Sequence, residues 1–345
     1  MPQLANPFSL PGQWYRGTLH LHTTNSDGFM PPERLIQHYQ YAGWDFLALT
    51  DHWKVTEVPS APAYADMTII PGTEVDSGAG SSEIGTSYHI VGLDMKEVIP
   101  RQSGLKGTAA AQWYVDAIRE QGGEAVIAHP YWSGLTLRDV EGVRRHMAIE
   151  AYNADTEVHI GRGNSTVLWD DLLSHGIPTL GLGVDDCHRP GYDSVRGWTV
   201  VRAPDRSVPS LMGALRAGHF YASSGPEIYD VQWEPGQPDA DGHPGPSVVR
   251  VRCSAARSIT AVADGTKGAR LNAGPFGAAL RSRRLRGETG RPEGVYEGEL
   301  LNGAELLLTG RERYVRIQVE DVHGRCAWTN PLFVRTPEER AAPTA

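Results

Sequence analysis

The stretch Gly17-Thr18-Leu19-His20-Leu21-His22-Thr23-Thr24-Asn25-Ser26-Asp27-Gly28 decides how the rest of the chain is read. It reads as a short strand running into a polar turn. Residues two apart in a strand face one side, so His20 and His22 project together and can reach one ion at ~2.0–2.2 Å. The pattern recurs downstream. Strand-like runs at 17–22, 46–51, 68–74, 89–94, 125–129, 148–152 and 178–185 are bounded by Gly, Pro or polar residues. At or beside their ends stand His20, His22 and Asp27, then Asp51 and His52, Glu74, His89, His129, and finally Asp185 and His188.

Helical stretches separate these runs. Residues 32–43 open with Pro-Pro-Glu and stop at Gly43, 108–121 carry Trp113, Val115 and Ile118 on one stripe and stop at Gly122, and 165–175 stop at Gly176. Pro at the first turn and Gly just past the last one are helix boundary signals. Alternating strands and helices predict an α/β barrel with parallel strands, whose strand ends share one rim. Each polar residue also has a plainer reading. A buried His is commonly a hydrogen-bonded core residue, Asp51-His52 can cap a helix, Glu74 can belong to a turn, and His129-Pro130 can simply end a strand. The repetition of the same residue types at the same place argues for the rim. So many imidazoles and carboxylates in one place are costly without cations to neutralise them.

Composition bounds the function. The 345 residues are 40% hydrophobic, enough for a sizeable core and about two domains at ~150 residues each. No apolar run approaches the ~18 residues of a membrane span, and residues 1–10 lack a basic segment followed by an apolar one, so a cytoplasmic protein without signal peptide or membrane partner is expected. Cys187, Cys253 and Cys326 are odd in number and far apart, which suggests no disulfide framework. A net charge of −9 disfavours general nucleic-acid binding, which draws on clustered Lys and Arg. The basic run Arg281, Arg283, Arg284, Arg286 and Arg291 reads as an exposed strand face. The chain has no Gly-x-x-x-x-Gly-Lys loop, no Gly-x-Ser-x-Gly elbow and no Cys-x-x-Cys pair.

The character changes near Gly225-Pro226. Period-two runs at 247–253 and 314–320, and a Pro-, Gly- and Asp-rich loop or long hairpin at 230–246, predict a separate antiparallel β domain, a sandwich. The expected domains are 1–225 and 226–336, followed by a flexible tail at 337–345.

The segments Thr18-Leu19-His20-Leu21-His22-Thr23 with Ser26-Asp27-Gly28, Leu49-Thr50-Asp51-His52, Ile70-Pro71-Gly72-Thr73-Glu74, Ile127-Ala128-His129-Pro130 and Gly183-Val184-Asp185-Asp186-Cys187-His188 resemble, in order, the motifs of the PHP (polymerase and histidinol phosphatase) superfamily. The segment Ala217-Gly218-His219-Phe220-Tyr221-Ala222-Ser223-Ser224-Gly225-Pro226-Glu227 and the β domain after it resemble the CehA/McbA-type branch. The resemblance implies a distorted seven-stranded (βα) barrel with two or three divalent ions, Mn, Fe or Zn. It implies that His20, His22, Glu74 and Asp185 hold one ion, that Glu74 bridges to a second held by His89 and His129, and that Asp27, His52 and His188 form a third site. Asp27 stands where several family members have His, which hardens that site toward oxygen-loving ions.

Such a centre activates a bridging water for hydrolysis. The expected function is a metal-dependent phosphoesterase acting on small phosphorylated molecules. The alternatives are an amide, carbamate or ester hydrolase of CehA/McbA type and a silent metal-binding scaffold. Asp185 or His188 is expected to transfer the leaving-group proton. Lys54 and Arg189 are candidate phosphate clamps, Asn153 a hydrogen-bond donor to substrate, and Tyr131 with Trp132 an apolar wall. Solvated charge, turn and packing are their plainer roles.

Overall fold

The computed structural model describes residues 6–58, 62–78, 87–237, 245–274, 279–280, 282–284 and 300–334. The chain divides into two compact units: Pro11–Asp171 with Thr179–Ala222, and Met1–Leu10 with Leu172–Pro178 and Ser223–Ala345. No described helix is long and apolar enough to cross a membrane.

The larger unit is mixed α/β. Its strands are β1 (Gln13–Thr18), β2 (Phe46–Leu49), β3 (Thr68–Asp76), β4 (His89–Leu93), β5 (Glu124–Ile127), β6 (Ala148–Asn153), β7 (Leu180–Val184), β8 (Trp198–Ala203) and β9 (Phe220–Ser223). The intervening helices are α1 (Pro32–Tyr41), α2 (Gly107–Glu120), α3 (Leu137–Val140), α4 (Ala154–Ile160), α5 (Thr166–Ser174) and α6 (Val208–Arg216). Strand order is β9-β8-β1-β2-β3-β4-β5-β6-β7. Helix α1 starts on Pro31-Pro32, buries Leu35, Ile36 and Tyr39 on one face, and is followed by Gly43 at φ 82°. Only glycine adopts that conformation without strain.

Pairing corrects the expectation of parallel strands. Neighbours β1/β2, β2/β3, β5/β6 and β6/β7 are parallel, but β4 runs antiparallel to both β3 and β5, and β8 antiparallel to β1. A parallel partner for β3 would need a crossover of a dozen or more residues, usually a helix. Instead the chain doubles back: Ser77 N–H donates to Tyr88 O (2.9 Å) and Tyr88 N–H to Ser77 Oγ (2.8 Å). The reversal explains why His89 begins its strand while the other candidate ligands follow theirs. In the β3/β4 register Asp76 faces His89 and Glu74 faces Val91, so the start of β4 lies beside the end of β3.

Beyond β1 and β7 the two chains meet again. Leu21 and Cys187 form a parallel bridge, with His22 N–H donating to Cys187 O (3.1 Å) and Asp186 N–H to His20 O (2.9 Å). Residues 20–22 and 186–188 are thereby side by side despite their distance in sequence.

The smaller unit is all antiparallel among its described strands. One sheet has the order β10 (Ile228–Gly236), β11 (Gly245–Ala256), β16 (Leu301–Leu308), β15 (Ser282–Arg284). The other strands of this unit are β14 (Ala279–Leu280), β13 (Gly268–Asn272), β12 (Ser258–Ala263), β17 (Tyr314–Glu320) and β18 (Cys326–Thr329), paired in that order, with β19 (Phe333–Val334) on β17. Along β11, Val249, Val251 and Cys253 are buried while Arg250 and Arg252 alternate with them, as a half-buried strand requires. Of the two readings of 230–246, loop or long hairpin, the hairpin is the one found: 230–236 belong to β10, which pairs antiparallel with β11. The expected tail and Arg281, Arg286 and Arg291 lie outside the described residues, and for Arg283 and Arg284 only the backbone is described.

Candidate metal centre

Glu74, at the end of β3, is the middle of the cluster. Its Oε2 lies 3.2 Å from His20 Nε2, 3.2 Å from His22 Nε2 and 3.3 Å from His52 Nδ1. Its Oε1 lies 2.8 Å from His89 Nδ1 and 3.2 Å from His129 Nε2. One carboxylate thus faces two groups of imidazoles. Asp27 completes a third group, 3.4 Å from His22 Nδ1, 3.6 Å from His52 Nε2 and 3.5 Å from His188 Nε2.

The structure corrects the expected ligand Asp185. Its carboxylate is fully buried and accepts from the backbone N–H groups of Val195 (2.7 Å), Arg196 (2.8 Å) and Gly197 (2.7 Å) and from Tyr39 Oη (2.7 Å). It tethers the loop after His188 and has no oxygen left for the cluster. Asp186 is the carboxylate that faces the cluster: Oδ1 lies 3.1 Å from His20 Nε2 and 3.2 Å from His22 Nε2, and is buried without a hydrogen bond. Strand alternation is the signal that was available. Leu182, Val184 and Asp186 fall on one face, while Asp185 falls on the other with Gly181, where a Cβ would meet the Trp169 ring at 2.5 Å.

Asp51 plays the same tethering part on the other side. It accepts from Thr23 N–H (2.7 Å), Ser26 Oγ (2.8 Å), Thr23 Oγ1 and Thr56 Oγ1. This ties the 23–28 loop bearing Asp27 to the 52–56 segment bearing His52. Gly28 is needed there, since a Cβ would stand 2.2 Å from His22 O. Four of the six described non-glycine residues at positive φ belong to the segments around the cluster, Trp53 (φ 53°), His129 (φ 26°), Asp186 (φ 54°) and the β-branched Val195 (φ 62°), while Asp94 and Arg145 lie elsewhere. Such strain persists only where surrounding bonds over-determine it, and it collects at functional sites.

A buried carboxylate not singled out from the sequence, Glu150, supports the imidazoles. Oε1 accepts from His20 Nδ1 (2.6 Å), and Oε2 accepts from His129 N–H (2.7 Å) and Asn153 Nδ2 (2.8 Å). With Nδ1–H engaged, His20 turns its Nε2 lone pair to the cluster. Asn153 is also corrected. It is fully buried, donates to Glu150 and Asp186 (3.0 Å), and caps α4 by accepting from Thr156 N–H, leaving nothing for a substrate. Tyr131 turns to Arg162, whose guanidinium lies 5.4 Å from its ring centre, and does not line the cavity. Trp132 does, edge-on to His129 (4.9 Å) and His89 (5.8 Å). Lys54 and Arg189 are exposed, with Arg189 lying 5.1 Å over the Phe29 ring.

The cavity over the cluster measures about 200 Å³ and is lined by Asp27, His52, Glu74, His89, His129, Trp132, Asp155, Thr156, Asp186 and His188. A larger cleft of about 900 Å³, bounded by Val55, Tyr64, Met67, Ile69 and Met95 among others, contains none of the cluster residues. Chemistry, not volume, picks the smaller one.

The charges show what the site lacks. Burial lowers the His20 pKa, but Asp186, Glu150 and Glu74 outweigh it and raise His20 well above its ordinary value. His22 is likewise raised by Asp186 and Glu74 against its burial. Burial lowers His188, while the Asp27 hydrogen bond and Asp186 lift it to about 10. Burial penalises the charged form of Asp186, yet His20, His22 and His188 hold its carboxyl far below the usual range. The site calls for positive charge. His20 Nε2 and His22 Nε2 are only 3.1 Å apart, where two ring protons cannot both point inward. Bonds of ~2.0–2.2 Å to a common ion put neighbouring ligand atoms roughly 3.0–3.4 Å apart, and the separations around Glu74 Oε2 and Asp186 Oδ1 are 3.1–3.3 Å. The residues present therefore fit divalent ions.

No protein-family model matches the chain. It is 29% identical over 135 residues to a 5'-3' exoribonuclease of Haemophilus influenzae, covering 38% of this chain and 48% of that one. It is 30% identical over 115 residues to a phosphoribosyl 1,2-cyclic phosphate 1,2-diphosphodiesterase of Eggerthella lenta, covering 31% and 43%. The chain spans less than half the length of the curated relatives it matches. Among solved structures, a Bacteroides vulgatus two-domain protein containing a predicted PHP-like metal-dependent phosphoesterase aligns over 95% of this chain and 93% of its own, at 14% identity and a TM-score of 0.49.

Proposed function

We propose that the chain is a metal-dependent phosphoesterase of PHP type. The observation that carries the reading is Glu74, whose Oε2 lies beside His20, His22 and His52 and whose Oε1 lies beside His89 and His129. In this reading β1 to β7 form the distorted seven-stranded barrel, residues 1–225 the catalytic domain and 226–336 the β domain. His20, His22, Glu74 and Asp186 hold one ion, Glu74, His89 and His129 a second, and Asp27, His52 and His188 a third. The bound ions supply a water acidic enough to attack at neutral pH and neutralise charge developing on the ester oxygens. The protein fixes the donors: Glu150 sets the His20 tautomer, Ser133 Oγ lies 3.1 Å from His129 Nδ1, and His188 Nδ1–H donates to Asp186 O (2.8 Å). His188 Nε2 on the cavity wall gives the leaving oxygen its proton when the third group holds no ion. The relatives named for phosphodiester cleavage support this bond type over amide, carbamate or ester hydrolysis.

Elemental analysis joined to an activity panel tests the reading. Protein reconstituted with Mn, Fe or Zn is expected to hold at least two ions per chain and to hydrolyse phosphoesters, and His20→Ala to lose both. Turnover of aryl carbamates or esters alone would reverse the bond type. Fewer than one ion per chain, with activity untouched by His20→Ala, would leave a silent module.

A further inference from the structure

The imidazoles of the cluster are not equally held. His20, His129 and His188 each have one ring nitrogen engaged by a partner that fixes the ring: Glu150, Ser133 Oγ and Asp186 O. His52 and His89 have no such partner among the described residues. Their ring nitrogens reach only Glu74 and Asp27, which belong to the cluster itself. They are also the more exposed of the five imidazoles facing Glu74, at 27% and 17% against at most 5% for the others. A metal-bound imidazole ordinarily keeps its orientation through its second nitrogen. For His52 and His89 that restraint has to come from packing and from the backbone that carries them.

One side chain joins those two stretches of backbone. Trp53 follows His52 and stands at φ 53°, a left-handed conformation that is costly for a bulky residue. Its N–H donates to Glu74 O (2.9 Å), and His52 and Glu74 form a parallel bridge. Its indole N–H donates to Asp76 Oδ2 (2.8 Å). Asp76 lies opposite His89 in the β3/β4 register, and its Oδ1 accepts from Gly78 N–H (3.0 Å). The carboxylate thus holds the end of β3 with one oxygen and the indole with the other. Arg101 completes the clamp, with its guanidinium 4.0 Å from the Trp53 ring centre and Nη1 3.9 Å from Asp76 Oδ2. Tyr114 of α2 stands edge-on to the indole at 5.6 Å.

Strained backbone persists only where its neighbours over-determine it. Without the indole–carboxylate bond, Trp53 relaxes toward negative φ, and the change in chain direction turns the His52 ring away from Glu74. The same loss frees Asp76 and the end of β3 beside which His89 begins its strand. Neither Trp53 nor Asp76 lines the cavity or belongs to a group of cluster donors. Their influence on the ions therefore passes through the two histidines.

We propose that Trp53, clamped by Asp76 and Arg101, is a positioning residue for His52 and His89. It sets the affinity for the ions those two histidines hold, and bears little on the ion at His20, His22 and Asp186. The proposal rests on the metal-dependent reading for the presence of ions, but not on which bond is cleaved.

The test titrates the ion-free full chain with Mn²⁺ against a chromophoric chelator, for the wild type, Trp53→Phe, Asp76→Ala and the double variant. His20→Ala, His52→Ala and His89→Ala identify which binding step belongs to which group of donors. Trp53→Phe keeps a ring beside Arg101 and removes the indole donor, and urea midpoints confirm that each variant is folded. Each single variant should weaken the steps that depend on His52 and His89 about tenfold or more, as loss of a ligand's support does. The step that depends on His20 should stay within about twofold. The double variant should fall within about twofold of the weaker single variant, because the two side chains act through one bond. The Mn²⁺ concentration for half-maximal phosphoester turnover should rise by the same factor as the affinities fall. Affinities within twofold of the wild type in both single variants overturn the proposal. Equal weakening of every step, the mark of general loosening, overturns it too, as do additive effects in the double variant. A wild type that binds its ions but hydrolyses no phosphoester removes the phosphoesterase reading alone, and the titration still decides the clamp. A wild type that binds no ion removes both.

Discussion

Two pairs of adjacent residues, Asp51-His52 and Asp185-Asp186, solve the same problem on opposite sides of the cluster. In each, a buried aspartate accepts bonds from a neighbouring loop, and the next residue faces the cluster. Asp51 gathers Thr23, Ser26 and Thr56, while Asp185 gathers Val195, Arg196, Gly197 and Tyr39. The first pair differs in residue type, so the imidazole is picked out as the ligand by chemistry alone. The second presents two carboxylates, and only the side each one faces separates tether from ligand. A metal-competent residue in a motif is therefore as apt to hold a loop as to hold an ion.

The comparison breaks first at Asp186. Asp186→Asn should lose at least one bound ion and reduce phosphoesterase activity ~10²–10³-fold or more, since even partners of ligands are worth ~10–100-fold. The ion-free protein should lose some thermal stability too, because His20, His22 and His188 lose the carboxylate that favours their charged forms, so ion content is the deciding readout. Asp185→Ala should keep the ions and cost stability. It strands three backbone N–H groups and the Tyr39 hydroxyl, at ~1–3 kcal/mol for each group left buried and unbonded. The expected loss is at least about 4 kcal/mol by urea unfolding, with ion content retained. If Asp185→Ala strips an ion and Asp186→Asn does not, the assignment is inverted. Asp51→Ala should cost roughly 2 kcal/mol and loosen Asp27 and His52 together, seen as weaker binding of the third ion with the first two in place.

The smallest effect lies away from the centre. Burial, with the Arg144 charge, lowers His146 to about 4, while its Nδ1–H donates to Val143 O (3.0 Å). A histidine neutral when folded and protonated more readily when unfolded takes up protons on unfolding between pH 4 and its ordinary 6.5. Its contribution is complete above pH 6.5 and lost as pH falls toward 4. His146→Gln should flatten that part of the stability profile by ~1–3 kcal/mol, read from urea midpoints across the range.

Much of the centre was legible because ligand types recur at strand ends: His20, His22, Asp27, His52, Glu74, His89, His129 and His188 are all brought together. What stayed hidden depends on direction. The reversal of β4 could not be read from an apolar run, which looks the same in either orientation. Asn153 stands at a strand end like the ligands, but its amide is consumed by Glu150, Asp186 and the α4 cap. Tyr131 and Trp132 are neighbours, and only the turn at His129 decides which of them lines the cavity. Glu150 sits within its strand and not past its end, so it lacks the strand-end position that marks the other carboxylates.

Anomalous diffraction from crystals grown with manganese tests the central claim most directly. One peak should lie within bonding distance of His20 Nε2, His22 Nε2, Glu74 and Asp186 Oδ1, and a second beside Glu74, His89 and His129, with Asp185 still bonded to the 195–197 backbone. Absence of anomalous density at Glu74, or a metal coordinated by Asp185 in place of Asp186, would contradict the account.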